Sequence, residues 1–350
     1  MELWQESLRQ SLTEPAELAR RFGIDAAPLE AVAARYPLRI PRYYLDLIEG
    51  VGDPLWRQAV PDPRELEDDG LDADPLAEER LAPLPAVVHR YPDRVLLLVS
   101  GECALYCRFC TRKRKVGCAA SRLSLDELYA GIDYIARTPA ISDVLISGGD
   151  PLLLSTDLLE DLLIRLRRIP HLEIIRIGSR VPVTLPQRID AKLCAMLKQF
   201  APLYLNTHFN HPRELTTQAA AACARLADAG IPLGNQTVLL RGVNDDAATM
   251  AALCKGLLKI RVRPYYLHQM DLVRGTGHFR TRIEEGMALL QALRGPVSGL
   301  AIPHYVIDTP GGRGKVPILP ETVESLGDEV VLRLSDGSRL RYPNAVPPKG

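Results

Sequence analysis

The sequence predicts an α/β protein whose body is a partial barrel of six parallel strands, each followed by a helix. Two observations lead to this fold class. From Arg94 onward, short apolar runs rich in β-branched residues alternate with amphipathic helical stretches. Polar residues also recur directly after these runs, as at 148–150, 206–208 and 269–271. Because the carboxyl ends of barrel strands bear the reactive groups, we favour a barrel over a doubly wound sheet.

The individual elements follow from the alternation. The predicted strands are 95–99, 144–146, 174–177, 203–205, 231–238 and 262–267, with a further strand at 300–307. The predicted helices are 125–136, 158–167, 191–199, 218–229 and 247–258. Ser124 and Glu127 have the spacing of a capping box, which predicts the start of the first helix. The tail 329–342 is predicted to form a small β hairpin around 335–337.

The segment before the barrel has a different character. Helical periodicity occurs at 4–22 and 41–49, and Pro15 suits the first turn of a helix. The acidic stretch 62–80 is predicted to be a loop that wraps around the surface. We therefore predict three parts: an N-terminal helical accessory segment (1–90), the barrel (91–295), and a C-terminal segment with a lysine-bearing turn and a β extension (296–350).

Composition excludes several classes of partner. The chain has 43 Lys plus Arg and 43 Asp plus Glu, so its formal net charge is zero, and neither nucleic acid nor an anionic membrane is expected as the main partner. The first residues lack the pattern of an export signal, and no apolar run is long enough to span a bilayer. We expect a cytoplasmic protein, in which clustered cysteines are metal ligands or catalysts rather than disulfides.

The most informative cluster is Cys103, Cys107 and Cys110, with the spacing C-x3-C-x2-C. Three thiolates suit a [4Fe–4S] cluster whose fourth iron has no protein ligand, and such an open iron can bind a small molecule. The alternative, a structural zinc site, would need a fourth ligand, for which Cys118 is the nearest cysteine. The other cysteines lie singly in predicted helices and are expected to be buried and inert: Cys194, Cys223 and Cys254.

With Tyr106 and Phe109 preceding two of the cysteines, this motif resembles the signature of the radical S-adenosylmethionine superfamily. The resemblance implies that the open iron binds the amino and carboxylate groups of S-adenosylmethionine. It also implies that a glycine-rich strand end contacts the methionyl amino group, and the residues in that place are Gly148, Gly149 and Asp150. Taken alone, such a stretch is most often a turn.

A second site lies at Lys315, which follows a glycine-rich turn. Such a lysine can form a Schiff base with pyridoxal phosphate, although an isolated loop lysine is usually only solvated. The context favours the cofactor, because the chain from 37 to 342 resembles the lysine 2,3-aminomutase family. The stretches that carry this resemblance are 89–94, 107–112, 176–180, 206–212, 234–236, 241–245, 261–266 and 277–280.

The resemblance implies a role for each matching residue. Lys315 would bind pyridoxal phosphate as a Schiff base, and Arg112 would bind the α-carboxylate of the substrate. Without the resemblance, Asp271 and Asp308 would be ordinary turn or loop acids; with it, they would hold the distal ammonium of lysine. The remaining contacts to pyridoxal phosphate would come from Tyr91, Arg94 and Gln236, where a guanidinium suits a phosphate.

The implied activity is that of an isomerase, L-lysine 2,3-aminomutase, which converts L-lysine to L-β-lysine by radical 1,2-amino migration. The implied cofactors are the [4Fe–4S] cluster, S-adenosylmethionine and pyridoxal phosphate. An electron donor such as a flavodoxin or ferredoxin is expected, and so is a homo-oligomer. The resemblance is to a short form that lacks the zinc-binding tail of longer members, so no structural zinc is expected. Asp246, His268 and Phe109 also differ from the commonest family residues.

Three alternatives remain open at this point. A sister branch makes β-lysine for the modification of elongation factor P, but the approach to Lys315 through Asp308-x-Pro-Gly-Gly favours the free-lysine enzyme. A mutase of the β-arginine type would also place two carboxylates around a cationic side chain. Finally, a non-catalytic iron–sulfur electron carrier or a zinc-stabilised scaffold would need neither Lys315 nor the two aspartates.

Overall fold

A curled mixed sheet dominates the computed structural model, which describes residues 2–67, 70–319, 322–327, 329–334 and 337–343. Within those residues the sheet has nine strands, in the order in which they occur along the chain. Strands two to eight are parallel to their neighbours, and the first and last strands are antiparallel at the two edges. Helices connect the parallel strands, so the predicted α/β partial barrel is confirmed.

The strands have the following bounds: β1 Val87–Tyr91, β2 Arg94–Ser100, β3 Asp143–Gly148, β4 Ile174–Gly178, β5 Leu203–Thr207, β6 Leu233–Leu239, β7 Arg263–Gln269, β8 His304–Asp308, β9 Lys315–Pro317, β10 Val323–Ser325, β11 Glu329–Arg333 and β12 Arg339–Pro343. The last three form a separate antiparallel sheet.

The helices have the following bounds: α1 Leu3–Arg9, α2 Pro15–Phe22, α3 Ala27–Ala33, α4 Arg42–Leu45, α5 Pro54–Ala59, α6 Leu125–Ala136, α7 Thr156–Arg167, α8 Val181–Thr184, α9 Ala191–Lys198, α10 Thr217–Asp228, α11 Ala247–Lys259 and α12 Ile283–Leu293. No helix among the described residues has the length and apolar character needed to cross a membrane.

Most predicted barrel elements are present. Helix α6 has the predicted bounds, and Ser124 and Glu127 form the predicted capping box. The seventh predicted strand is shorter than expected, because 299–301 form a 3-10 turn and β8 begins only at His304. Strands β1 and β9 were not predicted; they belong to the main sheet although they lie in the flanking parts of the chain. The predicted division into three parts remains a prediction.

The N-terminal segment is helical, but its helices are shorter than the periodicity suggested. The stretch 4–22 is divided into α1 and α2, because Leu12 leaves the helix to pair with Ile40 in an antiparallel bridge. Pro15 stands in the first turn of α2, as predicted. The second predicted helix, 41–49, is reduced to α4. The C-terminal hairpin is confirmed by the pairing of β11 with β12, whereas 335 and 336 lie outside the described residues.

Alternation within the strands divides the barrel into a core face and a cavity face. In β3 and β4, Val144, Ile146 and Ile175 are fully buried in an apolar core shared with the helices. The intervening side chains, among them Ser147 and Arg176, line a cavity on the other face. Because parallel strands end at the same edge, the loops that follow them meet around this cavity.

Candidate active site

A cavity of about 720 Å³ extends along the inner face of the sheet, from the first residues of β2 and β3 to the loops that follow the carboxyl ends of the strands. Every residue that the sequence singled out as a candidate lines it, although these residues come from widely separated parts of the chain. They are Tyr91, Arg94, Cys103, Cys107, Cys110, Arg112, Gly148, Gly149, Asp150, Gln236, Asp271, Asp308 and Lys315. The structure therefore brings the predicted cluster ligands and the predicted cofactor lysine to one site.

The cysteine loop follows β2 and is held in place by a buried ion-pair network. The Arg108 guanidinium donates to the Glu65 carboxylate at 2.6 and 2.9 Å, and Lys113 Nζ donates to the same carboxylate at 2.8 Å. None of the three side chains is more than 4% exposed. Burial alone would raise the pKa of Glu65, but the two cations hold it below its usual value. The carboxylate therefore stays ionised and holds the second half of the loop, from Arg108 to Lys113.

The N-terminal segment supplies further anchors for the same loop. The backbone N–H of Tyr106 donates to the carbonyl of Arg39 at 3.1 Å, and that of Arg108 donates to the carbonyl of Gln58 at 2.9 Å. The Arg39 guanidinium also donates to the carbonyl of Cys103 at 3.1 Å. The segment predicted as an accessory thus determines where the cysteines lie.

The three thiols occupy one wall of the cavity. Burial raises the pKa of Cys103 strongly, with help from Asp150 and the other two thiols, and burial also raises the pKa of Cys110 to about 11. Arg180 Nη1 donates to Cys107 Sγ at 2.8 Å. In the described part of the chain, no three His, Cys, Asp or Glu side chains are grouped to hold a single metal ion. Three clustered thiols, one of them facing a guanidinium, fit a cluster that binds each thiolate through a different iron.

The remaining cysteines lie elsewhere. Cys118 is exposed and does not line the cavity. The cysteines of α9, α10 and α11 are buried, as predicted, and burial raises the pKa of Cys194 to about 11 and that of Cys223 and Cys254 to about 12. Such thiols stay protonated at neutral pH and are inert.

The two glycines that end β3 permit close contact with the cysteine loop. A Cβ atom on Gly149 would lie 2.3 Å from the carbonyl oxygen of Glu102, and one on Gly148 would lie 2.4 Å from that of Ser100. Gly148 also has a φ of 127°, which other residues rarely adopt. Any side chain here would push the strand end away from Cys103, so the glycines set the distance between the two motifs.

Asp150 follows the two glycines and is held by a set of hydrogen bonds of its own. Its carboxylate lines the cavity but accepts hydrogen bonds from Ser179 Oγ at 2.7 Å and from the backbone N–H groups of Leu152, Arg180 and Val181 at 2.8 to 3.2 Å. Burial raises its pKa, and these bonds oppose that shift. Asp150 thus ties the ends of β3 and β4 together, and its contact with S-adenosylmethionine remains a prediction.

The lysine turn joins β8 to β9, whose pairing places Asp308 opposite Lys315. Lys315 Nζ forms an ion pair with Asp308, and the Arg90 guanidinium forms a second ion pair with the same carboxylate. Burial would raise the pKa of Asp308, but the two cations lower it below its usual value. Gly311, with a φ of 73°, lets the chain reverse tightly enough for this pairing.

Tyr91 and Arg94 stand beside the lysine turn. The Tyr91 hydroxyl accepts a hydrogen bond from the backbone N–H of Lys315 at 3.0 Å, and the Arg94 guanidinium lies 4.0 Å from the centre of the Tyr91 ring. Gln236, on β6, lines the same cavity. An amine, an aromatic ring, a guanidinium and an amide in one cavity fit the aldehyde, ring and phosphate of pyridoxal phosphate.

Asp271 follows β7 and accepts a hydrogen bond from Thr111 Oγ1 at 3.0 Å. Burial raises its pKa to about 6, and the charge of Asp308 contributes to the shift. The negative charge of Asp308 is thus close enough to disfavour ionisation of Asp271. Because Thr111 is adjacent to Arg112, the cysteine loop also connects Asp271 to the predicted carboxylate-binding arginine.

Five charged residues that line the cavity had no role in the predictions from sequence: Glu78, Arg90, Asp143, Arg176 and Arg180. Glu78 forms a forked ion pair with Arg112, with a shortest N–O distance of 2.6 Å. Its signal in the sequence was the complementarity between the acidic stretch 62–80 and the basic run 112–115. Arg90 and Arg180 occurred only within quoted motifs, and their spacing gave no sign of what they contact.

Two positions that differ from the commonest family residues also line the cavity. Phe109 stacks against His208 with their ring centres 5.5 Å apart. Burial and the charge of Lys315 lower the pKa of His268 to about 3, and burial together with Arg180 lowers the pKa of His208 well below its usual value. Both imidazoles are therefore neutral at physiological pH.

Two family profiles match separate stretches of the chain. The profile of the radical SAM superfamily matches residues 97–254, and the profile named lysine-2,3-aminomutase matches residues 290–347. The sequence is 47% identical over 346 residues to an L-lysine 2,3-aminomutase of Fusobacterium nucleatum, covering 97% of this chain and 81% of that one. The chain belongs to the lysine 2,3-aminomutase family. It is therefore a radical S-adenosylmethionine isomerase with an iron–sulfur cluster.

Relatives within the family act on different amino acids. An L-lysine 2,3-aminomutase of Clostridium subterminale is 46% identical over 350 residues, covering 98% of this chain and 84% of the relative. A glutamate 2,3-aminomutase of Clostridioides difficile is 45% identical over 316 residues, covering 89% and 75%. Because these identities are similar, membership of this aminomutase family leaves the substrate to be inferred from the cavity.

Proposed function

We propose that this aminomutase acts on L-lysine, and that it uses pyridoxal phosphate bound to Lys315 in addition to the cluster and S-adenosylmethionine. The observation that carries the proposal is the pair of carboxylates, Asp271 and Asp308, in the cavity that contains the cysteines and Lys315. Two carboxylates favour a substrate whose distal end is cationic, and they disfavour the distal carboxylate of glutamate.

The ion pair at Asp308 supports the choice of a primary ammonium. In this structure the group on Asp308 is the ammonium of Lys315, which is chemically identical to the distal end of free lysine. A Lys315 nitrogen bound to a cofactor aldehyde would no longer be available to Asp308 as an ammonium. The Asp308 carboxylate would then be open to the ammonium of a substrate, while Arg90 would still hold it in place.

Each cofactor has a set of residues suited to it. Cys103, Cys107 and Cys110 would ligate the cluster. Bound S-adenosylmethionine supplies a carbon radical that removes a substrate hydrogen, and bound pyridoxal phosphate supplies the carbonyl group that carries the migrating nitrogen. The residues proposed for pyridoxal phosphate are Lys315, Tyr91, Arg94 and Gln236, and those for S-adenosylmethionine are Gly148, Gly149 and Asp150.

The protein's own contribution is to bind and orient the substrate. Arg112 would bind the α-carboxylate while Asp271 and Asp308 bind the distal ammonium, so lysine would be fixed at both ends. A substrate held at two ends presents one carbon to the radical source, which favours a single reaction over side reactions. Reduction of the cluster needs an electron donor, for which a flavodoxin or ferredoxin is the expected class.

Parallel anaerobic assays of the reconstituted enzyme with L-lysine, L-arginine, L-ornithine and L-glutamate test the proposal. We expect lysine to have the highest kcat/KM. Asp308→Asn should lower kcat/KM for lysine roughly 100-fold, because it removes one partner of a buried charge pair. Asp157→Asn, at an exposed aspartate outside the cavity, is the matched control and should leave it unchanged. A higher kcat/KM for glutamate than for lysine would refute the proposed substrate.

A further inference from the structure

The segment 70–82, here called the strap, touches each of the three loops that bear the proposed binding residues. Its first contact is with the loop of Asp271. Asp72 pairs with Val273 in a parallel bridge, and its carbonyl accepts the backbone N–H of Arg274 at 2.8 Å. The start of the strap is therefore fixed two residues from Asp271.

The second contact is with the glycine turn before Lys315. The backbone N–H of Gly311 donates to the carbonyl of Pro75 at 2.7 Å, and the Arg80 guanidinium donates to the carbonyl of Gly311 at 2.9 Å. A Cβ atom on Gly312 would lie 2.7 Å from the carbonyl oxygen of Leu76. The strap and the lysine turn are thus packed backbone to backbone.

The third contact is with the basic run that follows the cysteines. Asp74 pairs with Arg114 at 3.0 Å, and Glu79 pairs with Lys115 at 3.3 Å. The Glu79–Lys115 pair is largely exposed and of the kind that contributes little to stability, whereas the side chains of Asp74 and Arg114 are each 17% exposed. Glu78 differs from them, because its side chain is only 9% exposed and lines the cavity together with Arg112.

The geometry of the Glu78–Arg112 pair leaves part of the guanidinium unused. Arg112 Nε donates to the two Glu78 oxygens at 2.8 and 3.1 Å, and Nη2 donates at 2.6 Å. A guanidinium has five N–H donors, and the fork uses one on Nε and one on Nη2. The described contact of Nη1 is a long one of 3.4 Å to the carbonyl of Gly148. Hydrogens on Nη1 and Nη2 therefore remain for a second acceptor.

A forked partner on one side determines where the other side points. The arginine side chain has several rotatable bonds, and a planar guanidinium binds a carboxylate well only when its plane and edge are aligned. The position of Glu78 is fixed in turn by the strap, which is tied to the Asp271 loop and to the lysine turn and in which the Glu78 backbone N–H donates to the Asp74 carboxylate at 3.1 Å. The alignment of Arg112 is thereby set before any ligand arrives.

We propose that Glu78 is a positioning residue that aligns Arg112 for the α-carboxylate of the amino-acid substrate. The inference rests on the proposed function, in which Arg112 binds that carboxylate. Glu78 does not compete with the substrate for Arg112 in this arrangement, because the forked pair occupies one edge of the guanidinium and leaves the other edge for the substrate carboxylate.

The test measures binding rather than turnover. The enzyme is loaded with iron, pyridoxal phosphate and S-adenosylmethionine under anaerobic conditions, and the reductant is omitted so that no reaction occurs. The dissociation constants of L-lysine and of L-lysinamide, which lacks the α-carboxylate, are obtained from the change in visible absorbance of the bound pyridoxal phosphate. The proteins are the wild type, Glu78→Gln, Glu78→Asp and the strap control Glu79→Gln.

We expect both Glu78 variants to weaken L-lysine binding about tenfold, equivalent to ~1.4 kcal/mol, and to leave L-lysinamide within about twofold of the wild type. Glu78→Asp keeps the negative charge but is one methylene too short to form the forked pair. It therefore tests the alignment of Arg112 without removing the charge, and it serves as a second variant if Glu78→Gln does not fold. Glu79→Gln should change neither constant. Tighter L-lysine binding in Glu78→Gln would show that Glu78 competes with the substrate for Arg112. Equal weakening of L-lysine and L-lysinamide binding would show that Glu78 has only a general structural role. Either result overturns the inference.

Arg112→Gln separates this inference from the proposed function. If that variant still prefers L-lysine over L-lysinamide as the wild type does, Arg112 is not the carboxylate site and that part of the proposed function fails. If the preference disappears in Arg112→Gln but persists in both Glu78 variants, the proposed function stands and the role of Glu78 is refuted.

Discussion

The carboxylates of Glu65 and Asp308 each pair with one arginine and one lysine, but in very different surroundings. Glu65, Arg108 and Lys113 form the sealed triad, whose side chains are 0 to 4% exposed. Asp308, Arg90 and Lys315 form the cavity triad, whose side chains are 8 to 29% exposed. In both triads the cations lower the pKa of the carboxyl group against the effect of burial.

The exposure of each triad indicates what its ion pairs can do. The sealed triad has no access to a ligand, and it holds the loop that bears the cysteines. The cavity triad lines the cavity, so a ligand can reach it, and we propose that Lys315 and Asp308 change partners when cofactor and substrate bind. The same set of charges is thus structural in the first case and, in the proposed function, a binding site in the second.

The largest effects should come from removing a proposed cluster ligand, on the loop held by the sealed triad, or the proposed cofactor lysine of the cavity triad. Cys107→Ala should reduce bound iron from about four atoms per chain to nearly none, because a cubane held by two thiolates is unstable. Lys315→Ala should keep the iron but abolish the visible absorbance of a covalently bound pyridoxal phosphate. Both variants should lack mutase activity.

Iron analysis and absorption spectra of anaerobically reconstituted protein check this separation. Cys118→Ser is the control, because Cys118 is exposed and outside the cavity, and its iron content should equal that of the wild type. Retention of full iron content in Cys107→Ala would contradict the assignment of the cluster ligands.

The next effect concerns the sealed triad. Glu65→Gln leaves two buried cations without a counter-charge and should lower the free energy of unfolding by about 3–5 kcal/mol. Asp308→Asn should lower it less, by about 1–3 kcal/mol, because the Lys315 side chain is 29% exposed and can be hydrated when it loses its partner. Denaturant unfolding of the two variants and of Glu79→Gln, a mostly exposed control, measures the difference. Equal destabilisation by Glu65→Gln and Asp308→Asn would remove the distinction between the triads.

A smaller effect is expected at Asp271, whose pKa is raised to about 6. A carboxyl group with a raised pKa in the folded state binds more protons when folded than when unfolded between about pH 4 and pH 6. The stability of the ligand-free protein should therefore fall as the pH rises through this range. Asp271→Asn should remove this part of the pH dependence and gain roughly 1–3 kcal/mol at pH 7.

Unfolding in urea at pH values from 4.5 to 7.5 tests the prediction, with Asp157→Asn as the exposed control. An unchanged pH dependence in Asp271→Asn would mean that Asp271 is ionised in the folded protein throughout this range. The loss of stability that an ionised Asp271 causes in the ligand-free protein is typical of a binding residue, whose charge is compensated only when a cationic ligand binds.

Much of the barrel was predictable because its signals are local. Apolar β-branched runs and capping residues such as Ser124 act over a few positions, so most bounds of the parallel strands and their helices were predicted within a few residues. The edge strands β1 and β9 were not predicted, because short strands with half-exposed side chains, such as Lys315–Pro317, have no apolar pattern of their own. Their positions depend on pairing with distant partners.

The site was predictable to a different degree in its two halves. The spacing of Cys103, Cys107 and Cys110 indicated a cluster directly, whereas Lys315 and the aspartates depended on the resemblance to a family. Neither approach gave the partners that orient these residues. The contacts of Glu65 with Arg108, and of Glu78 with Arg112, join residues more than 30 positions apart, and only the folded chain brings them together.

In the proposed reaction, the enzyme moves the amino group of lysine from C2 to C3. The most direct measurement is incubation of the reconstituted wild type with L-lysine labelled with ¹⁵N at the α-amino group, in the presence of S-adenosylmethionine and a reductant, followed by analysis of the product by NMR. We predict L-β-lysine with the label on C3. Recovery of lysine with the label still on C2, by an enzyme that converts glutamate under the same conditions, would contradict the claim.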